Sequence, residues 1–208
     1  MPAQSLNTDA FVLLKRPPKE AFQTLTVFSA EHGALTVLQR VAKKSANAAA
    51  PLDLFDEASL LLESSNQART WFVKEARVLA RPSGIARHYE SLQLASQLTA
   101  LIARNPVHED GRAAVATLLR TALSAFAHGV RPDAVFFKSL YCFARDEGYP
   151  VKQQWLATLP SELRSEAAHL LRTPLAGLEP VEPNRPESEI LRRRLTDYLR
   201  AHTEILFD

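Results

Sequence analysis

The sequence predicts an α+β chain, an N-terminal five-stranded β-barrel followed by a C-terminal all-helical domain. Three observations predict it. Residues 1–80 read as short strands, with apolar and polar residues alternating in 21–29 and 51–63, the period of a strand with one buried face. Prolines, Gly33 and short polar clusters cut that region into five runs. After Arg81, Pro82 and Gly84 the apolar period lengthens from two to about 3.6. The break divides the chain into residues 1–81 and 82–208.

The first run, AFVLLKR (10–16), is apolar and stops at Pro17 and Pro18. AFQTLTVFS (21–29) sets Phe22, Thr24, Thr26 and Phe28 on one side and Leu25 and Val27 on the other. The turn AEHGAL, with Gly33 in its middle, joins it to LTVLQRVA (35–42) as a hairpin. PLDLFDEASLLLE (51–63) is read as the fourth strand, with Leu52, Leu54 and Phe55 as its apolar set. SSNQ (64–67) turns the chain into ARTWFVKEARVLA (68–80). Five short strands with such turns fit a small closed barrel.

In 85–104, Ile85, Tyr89, Leu92, Leu98, Leu101 and Ile102 are read as one helical stripe. Val115, Leu118, Leu119, Ala122, Leu123 and Phe126 form the next, ending at Gly129. Pro132 opens a third helix that turns Phe136, Leu140 and Phe143 inward and ends by Gly148. A fourth spans 160–174. Pro180, Pro183 and Pro186 mark an extended loop, and 187–207 is amphipathic, with Leu191, Leu195, Tyr198 and His202 on one face.

Composition narrows the function. Of 208 residues, 46% are apolar and 23% charged, the balance of a globular protein. No apolar run is long enough to cross a bilayer. The opening MPAQSLNTDAF lacks a basic segment followed by an apolar one, so no secretory leader is expected. One cysteine, Cys142, forms no internal disulfide and no cysteine-based zinc site; a reducing cytoplasm is the expected home.

No constellation of nucleophile, base and orienter is legible, and the chain is read as a non-enzyme. The glycines form neither GxGxxG nor GxxxxGK. The six histidines show no metal spacing. Cys142, in a Phe-rich helix, reads as a buried inert thiol. No cofactor and no metal are expected.

Charge points to binding instead. The formal net charge is only +2, but residues 1–50 hold six Lys or Arg against three Asp or Glu. The six are Lys15, Arg16, Lys19, Arg40, Lys43 and Lys44. They fall at strand ends or in the loop after the third strand. Loops at one end of a barrel of the OB type lie together, so the six are expected to share a patch for phosphates. Phe22, Phe28, Phe55, Trp71 and Phe72 are assigned to the core, which a small barrel must fill. Arg192, Arg193 and Arg194 are read as a solvated helix face.

These residues are also familiar in their order. AFVLLKRPPKEAFQTLTVFSAEHGALTVLQRVAKK, with PLDLF downstream, resembles the opening of the RecO family of bacterial recombination mediators. The likeness rests on Arg16 and Pro17 after an apolar strand, then Glu20, then Val27, Phe28, Ser29, Glu31 and Gly33. Arg40, Lys43, Lys44 and Leu52 to Phe55 follow in place, and FFKSLYCFARDEGYPV (136–151) resembles the family's helix ending in Leu-Gly-Tyr. The resemblance covers 8–60 well and 84–150 loosely. It implies an OB-fold domain followed by a helical one, and binding of single- and double-stranded DNA with strand annealing. It further implies partnership with RecR and the single-stranded DNA-binding protein in recombinational gap repair, and a place in the cytoplasm on the nucleoid. Arg16, Arg40, Lys43 and Lys44 fall on positions that match the family's basic residues. Two departures stand out. GYPVKQQWLATLP carries no cysteine where many members hold a four-cysteine zinc site, and the region is shorter than theirs. Val41 replaces a Gly in the basic run, removing a point of close backbone approach. The alternative expectation is an interaction scaffold that recruits RecR or the single-stranded DNA-binding protein without gripping DNA.

Overall fold

The computed structural model describes residues 4–41, 51–64, 70–129, 131–175 and 186–207. Its architecture is α+β, a five-stranded sheet followed by helices. The chain forms two compact units. The first is Met1–Pro82 with Pro106–Ala116, the second Ser83–Asn105 with Thr117–Asp208. The break expected after residue 81 stands beside this division, which carries Pro106–Ala116 with the sheet.

The first unit holds β1 (Ser5–Lys15), β2 (Phe22–Ser29), β3 (Gly33–Arg40), β4 (Glu57–Ser64) and β5 (Trp71–Ala80). The hydrogen-bonded order is β1-β2-β3-β5-β4, and β4 pairs in turn with β1. All pairings are antiparallel except β3 with β5, which are parallel and joined at Val37↔Trp71 and Leu38↔Phe72. Ala10, Val12, Leu25, Val27, Val37, Ala58, Leu60 and Leu62, from one face of β1 to β4, make the buried core together with Leu52 from the segment before β4. Burial of a side chain of this size stabilises by about 1.5–3 kcal/mol relative to exposure.

Two strands differ from expectation. β1 begins five residues earlier than the apolar run, because Ser5 to Asp9 pair with Glu63 to Ser59 of β4. Their mostly polar side chains conceal a strand that is paired on the β4 side. Residues 51–56 are a turn and not part of β4. Backbone bonds Val12 N to Asp56 O (2.8 Å) and Phe55 N to Val12 O (2.9 Å) pin that turn to β1. Phe55 there takes a left-handed φ of 72°. The wholly buried Asp56 carboxylate fixes it, accepting from the Asp53 N–H at 2.8 Å and from Arg81 Nε and Nη2 at 2.8 and 2.6 Å. The two-pronged Arg81 contact is the strong form of such a pair.

The hairpin turn between β2 and β3 carries Gly33 at φ 69°. Arg112 lies against it and donates from Nη1 to the Glu31 carbonyl at 3.0 Å. That contact ties Pro106–Ala116 to the sheet.

The second unit is helical, with α1 (Tyr89–Arg104), α2 (Arg112–His128), which starts within the first unit, α3 (Pro132–Asp146), the short α4 (Leu156–Thr158), α5 (Ser161–Arg172) and α6 (Pro186–His202). α3 is its central helix and packs on α1, α5 and α6. It buries residues on most of its circumference, among them Val135, Phe137, Leu140 and Phe143, as a helix surrounded by others must. The segment after Tyr149 forms a π-helical turn, Val151–Trp155, whose Trp155 ring packs 5.9 Å from Phe137 and 6.2 Å from Tyr141.

Two helical faces are corrected. On α1 the buried stripe is Leu94, Ala95, Leu98, Leu101 and Ile102, whereas Tyr89 is 80% exposed and Leu92 lies at the surface. Nine residues separate Tyr89 from Leu98, which at 3.6 per turn puts them about 180° apart. On α6, Leu199 follows Leu191 and Leu195 into the core. Tyr198 is half-buried, donating to Gln154 Oε1 at 3.0 Å, and His202 is exposed with its ring 4.8 Å from Tyr198.

Candidate nucleic-acid interface

The start of β2 organises the basic residues of the first unit. Pro17 and Pro18 end β1, and a tight turn brings the chain back. Lys19 N donates to Phe22 O at 2.9 Å and Phe22 N to Lys19 O at 3.1 Å, with Glu20 inside at φ 56°. Arg16 N donates to Thr24 O at 3.0 Å. Arg40, the last residue of β3, pairs in register with Phe22. The backbones of Arg16, Lys19 and Arg40 are therefore anchored around Phe22–Thr24. All three side chains are exposed, and none has an ion pair among the described residues.

Buried glutamines hold the surrounding loops. Gln23 and Gln39 are register partners on the inner side of the sheet. Gln23 Nε2 donates to the Arg16 carbonyl, and Gln39 Oε1 accepts from Leu52 N at 3.1 Å. Each uses a polar side chain to satisfy backbone that leaves the ladder. Together they fix where the chain enters β2 and where it returns after β3.

Of the other residues expected in this patch, Lys15 donates from Nζ to Asp53 Oδ1 at 2.9 Å. That hydrogen bond holds the Asp53 carboxyl below its ordinary range, so the Lys15 charge is offset locally. Lys43 and Lys44 lie outside the described residues.

The assignment of five aromatics to the core is corrected in part. Phe28 and Phe55 are buried, and Trp71 packs against the core cluster. Phe22 and Phe72 are half-buried on the outer face, edge to face at 5.8 Å between centroids and 69° between planes. Phe72 sits opposite Leu38, Leu38 opposite Thr24, and Arg40 opposite Phe22. Residues facing each other in this way have Cβ atoms about 4.5–5.5 Å apart. The result is an aromatic pair on the solvent side of β2, β3 and β5, with Arg40 as the register neighbour of Phe22. The signal was in the sequence, since Phe22 shares its face with Thr24 and Thr26, opposite Leu25 and Val27.

Such a surface offers cations for phosphates and ring faces for bases. Among the described residues, no group of three or more His, Cys, Asp or Glu could hold a metal ion. The Cys142 thiol is pushed up by burial, away from the reactive thiolate. No described helix is long and apolar enough to cross a membrane. No protein-family model matches the chain, and no curated protein matches it.

Proposed function

We propose that the chain is a nucleic-acid-binding mediator of the RecO type that grips single-stranded DNA on the outer face of β2, β3 and β5. In this reading the first unit is an OB-type barrel. Support comes from the pairing of β4 back to β1 and from the short parallel seam between β3 and β5, which suit a small, partly open Greek-key barrel. The ligand face of such a barrel includes β2 and β3. The observation that carries the proposal is the gathering of Arg16, Lys19 and Arg40 around the start of β2 beside the Phe22–Phe72 pair. RecR and the single-stranded DNA-binding protein are its proposed partners, and double-stranded DNA a second, phosphate-held ligand.

Binding of this kind is blind to sequence and falls steeply with salt. Three neutralised phosphates on a single strand give a log–log salt slope of about −2. The test is fluorescence anisotropy of a labelled thymidine oligonucleotide with the full chain at several salt concentrations. The variant R16E/K19E/R40E is expected to lose binding while keeping its far-ultraviolet circular dichroism. Unchanged affinity in that variant would overturn the proposal.

The competing reading is a scaffold that recruits the same protein partners without holding DNA. The offset of Lys15 by Asp53 favours it, because it removes one cation from the patch. Pull-downs of RecR and the single-stranded DNA-binding protein in the presence of nuclease separate the two. Retention of both partners by a chain that shows no anisotropy change supports the scaffold.

A further inference from the structure

We infer that the second unit carries its own nucleotide-binding groove, built from the end of α1, the exposed face of α6 and the segment that follows α6. The inference rests on the reading of the chain as a nucleic-acid-binding protein, but it concerns a separate set of residues. The groove encloses about 590 Å³, within the usual range for small-ligand sites. Arg104, Arg192, Arg193 and Arg200 line it and outnumber its two carboxylates, Glu189 and Asp197.

The wall formed by the last residues is fastened in place. Asn105 Nδ2 donates to Leu206 O at 2.9 Å, and Leu206 N donates to Asn105 Oδ1 at 2.8 Å. Ile205 is buried beside them. Arg104 Nη1 donates to the Phe207 carbonyl at 3.3 Å, and the Arg200 guanidinium lies 5.3 Å from the centre of the Phe207 ring. An aromatic ring and two guanidinium groups are thus held at one edge of the groove.

Its charges are not equally committed. Arg192 donates to Glu189 at 2.6 Å across one helical turn. Arg193 is exposed with no ion pair among the described residues, and Arg104 is exposed with only the carbonyl contact. Arg193 therefore offers a free fork, the geometry that matches phosphate oxygens, and Arg104 adds the donors that Phe207 does not hold. Arg193 and Arg194 lie on the solvated face expected for residues 192–194, with Arg192 half-buried, and Arg192 and Arg193 also line the groove.

The carboxylates decide which anion fits. A run of acidic side chains would meet Asp197 with like-charge repulsion, while Glu189 is already paired with Arg192. A nucleotide meets Asp197 differently, because the exocyclic amino group of cytosine donates to a carboxylate. Its phosphate takes Arg193 and the remaining donors of Arg104, and its base has the Phe207 face turned away from Arg200 to stack on. The groove accordingly suits a nucleotide of a single strand better than an acidic peptide, and a base with an amino group better than thymine.

The test is a titration of the full ¹⁵N-labelled chain with tetradeoxycytidylate, tetradeoxythymidylate or hexa-aspartate, followed by two-dimensional amide spectra. The cytidine oligonucleotide is expected to shift the amides of Arg193, Thr196, Asp197 and Phe207, and to do so at lower concentration than the thymidine one. Asp197→Asn is expected to erase that preference. Arg193→Glu is expected to weaken this response about tenfold, the loss of one charge-assisted contact, with the β2 and β3 amides responding as before. Shifts confined to β2 and β3 would overturn the second site and leave the first standing. Shifts confined to α6 and Phe207 would uphold it and sink the proposed face on the sheet. A stronger response to hexa-aspartate than to either oligonucleotide would replace the nucleotide with an acidic peptide and overturn the inference.

Discussion

The Lys15 ammonium lies 2.9 Å from the Asp53 carboxylate, joining the end of β1 to the turn that precedes β4. Asp53 is 64% exposed and Lys15 36% exposed on their side chains, so solvent screens the pair and its contribution to stability is under about 1 kcal/mol. Its larger effect is on the surface charge beside Arg16. The carboxyl is held below its ordinary range chiefly by the Lys15 hydrogen bond. A depressed folded value means the contribution is present above the unfolded value, near ~4, and is lost as pH falls below it. Asp53→Asn is therefore expected to change the urea midpoint little at pH 7 and to remove that part of the acid dependence. It also frees Lys15 for a phosphate. The salt slope for a single strand is expected to steepen by about 0.7, read by anisotropy. An unchanged slope would place Lys15 outside the nucleic-acid contact.

Phe28 on β2 and Phe72 on β5 are expected to fail in different ways when truncated. Phe28 is 1% exposed, so Phe28→Ala is expected to cost about 3–5 kcal/mol of stability. Phe72→Ala removes a half-exposed ring from the outer pair. It is expected to cost under about 1.5 kcal/mol of stability, the value of an aromatic pair beyond its burial. On the proposed face the same change weakens single-strand binding by roughly 1–3 kcal/mol, the worth of a stacked base. Denaturant melts and anisotropy on the two variants separate the roles. Phe72→Ala with full affinity would show that no base stacks there.

The sheet and the helices were legible wherever burial followed a simple period. Leu25 and Val27 announced their face by alternation, and Phe136, Leu140 and Phe143 did so by helical spacing. Legibility failed where the backbone was satisfied without an apolar signal. Ser5 to Asp9 extend β1 through pairing with β4 alone. Residues 51–56 look like a strand by alternation, yet Asp56 and Arg81 bend them into a turn from a partner 25 positions away. Tyr89 misled because aromatic character says nothing of helical phase. For the candidate site, the cations were visible one by one. That Arg16, Lys19 and Arg40 meet around Phe22 was a consequence of register, and the local pairing of Lys15 with Asp53 depended on where the turn at 53–56 folds. The groove beside α6 was hidden for a similar reason, since Arg104 and Phe207 are brought together by Asn105 across 101 positions.

Gly84 gives the most demanding test of the helical unit. A Cβ added there would stand 2.0 Å from the Ala127 carbonyl oxygen and 2.9 Å from its carbon. Both obstacles are backbone of the last turn of α2, which cannot rotate aside as a side chain would. Gly148 makes the useful contrast. Its φ is 88°, but a Cβ there meets nothing within 4 Å. Gly148→Ala is expected to cost only the left-handed strain of an L-residue, about 1–2 kcal/mol. Gly84→Ala is expected to cost about 3 kcal/mol or more, because the segment before α1 must move off α2 and open the packing around Ile85. Ile85 is 1% exposed, so its loosening adds a cavity cost to the steric one. Urea melts of the two variants side by side check the order. Equal destabilisation would show that the close approach of residue 84 to Ala127 costs no more than the left-handed strain at Gly148.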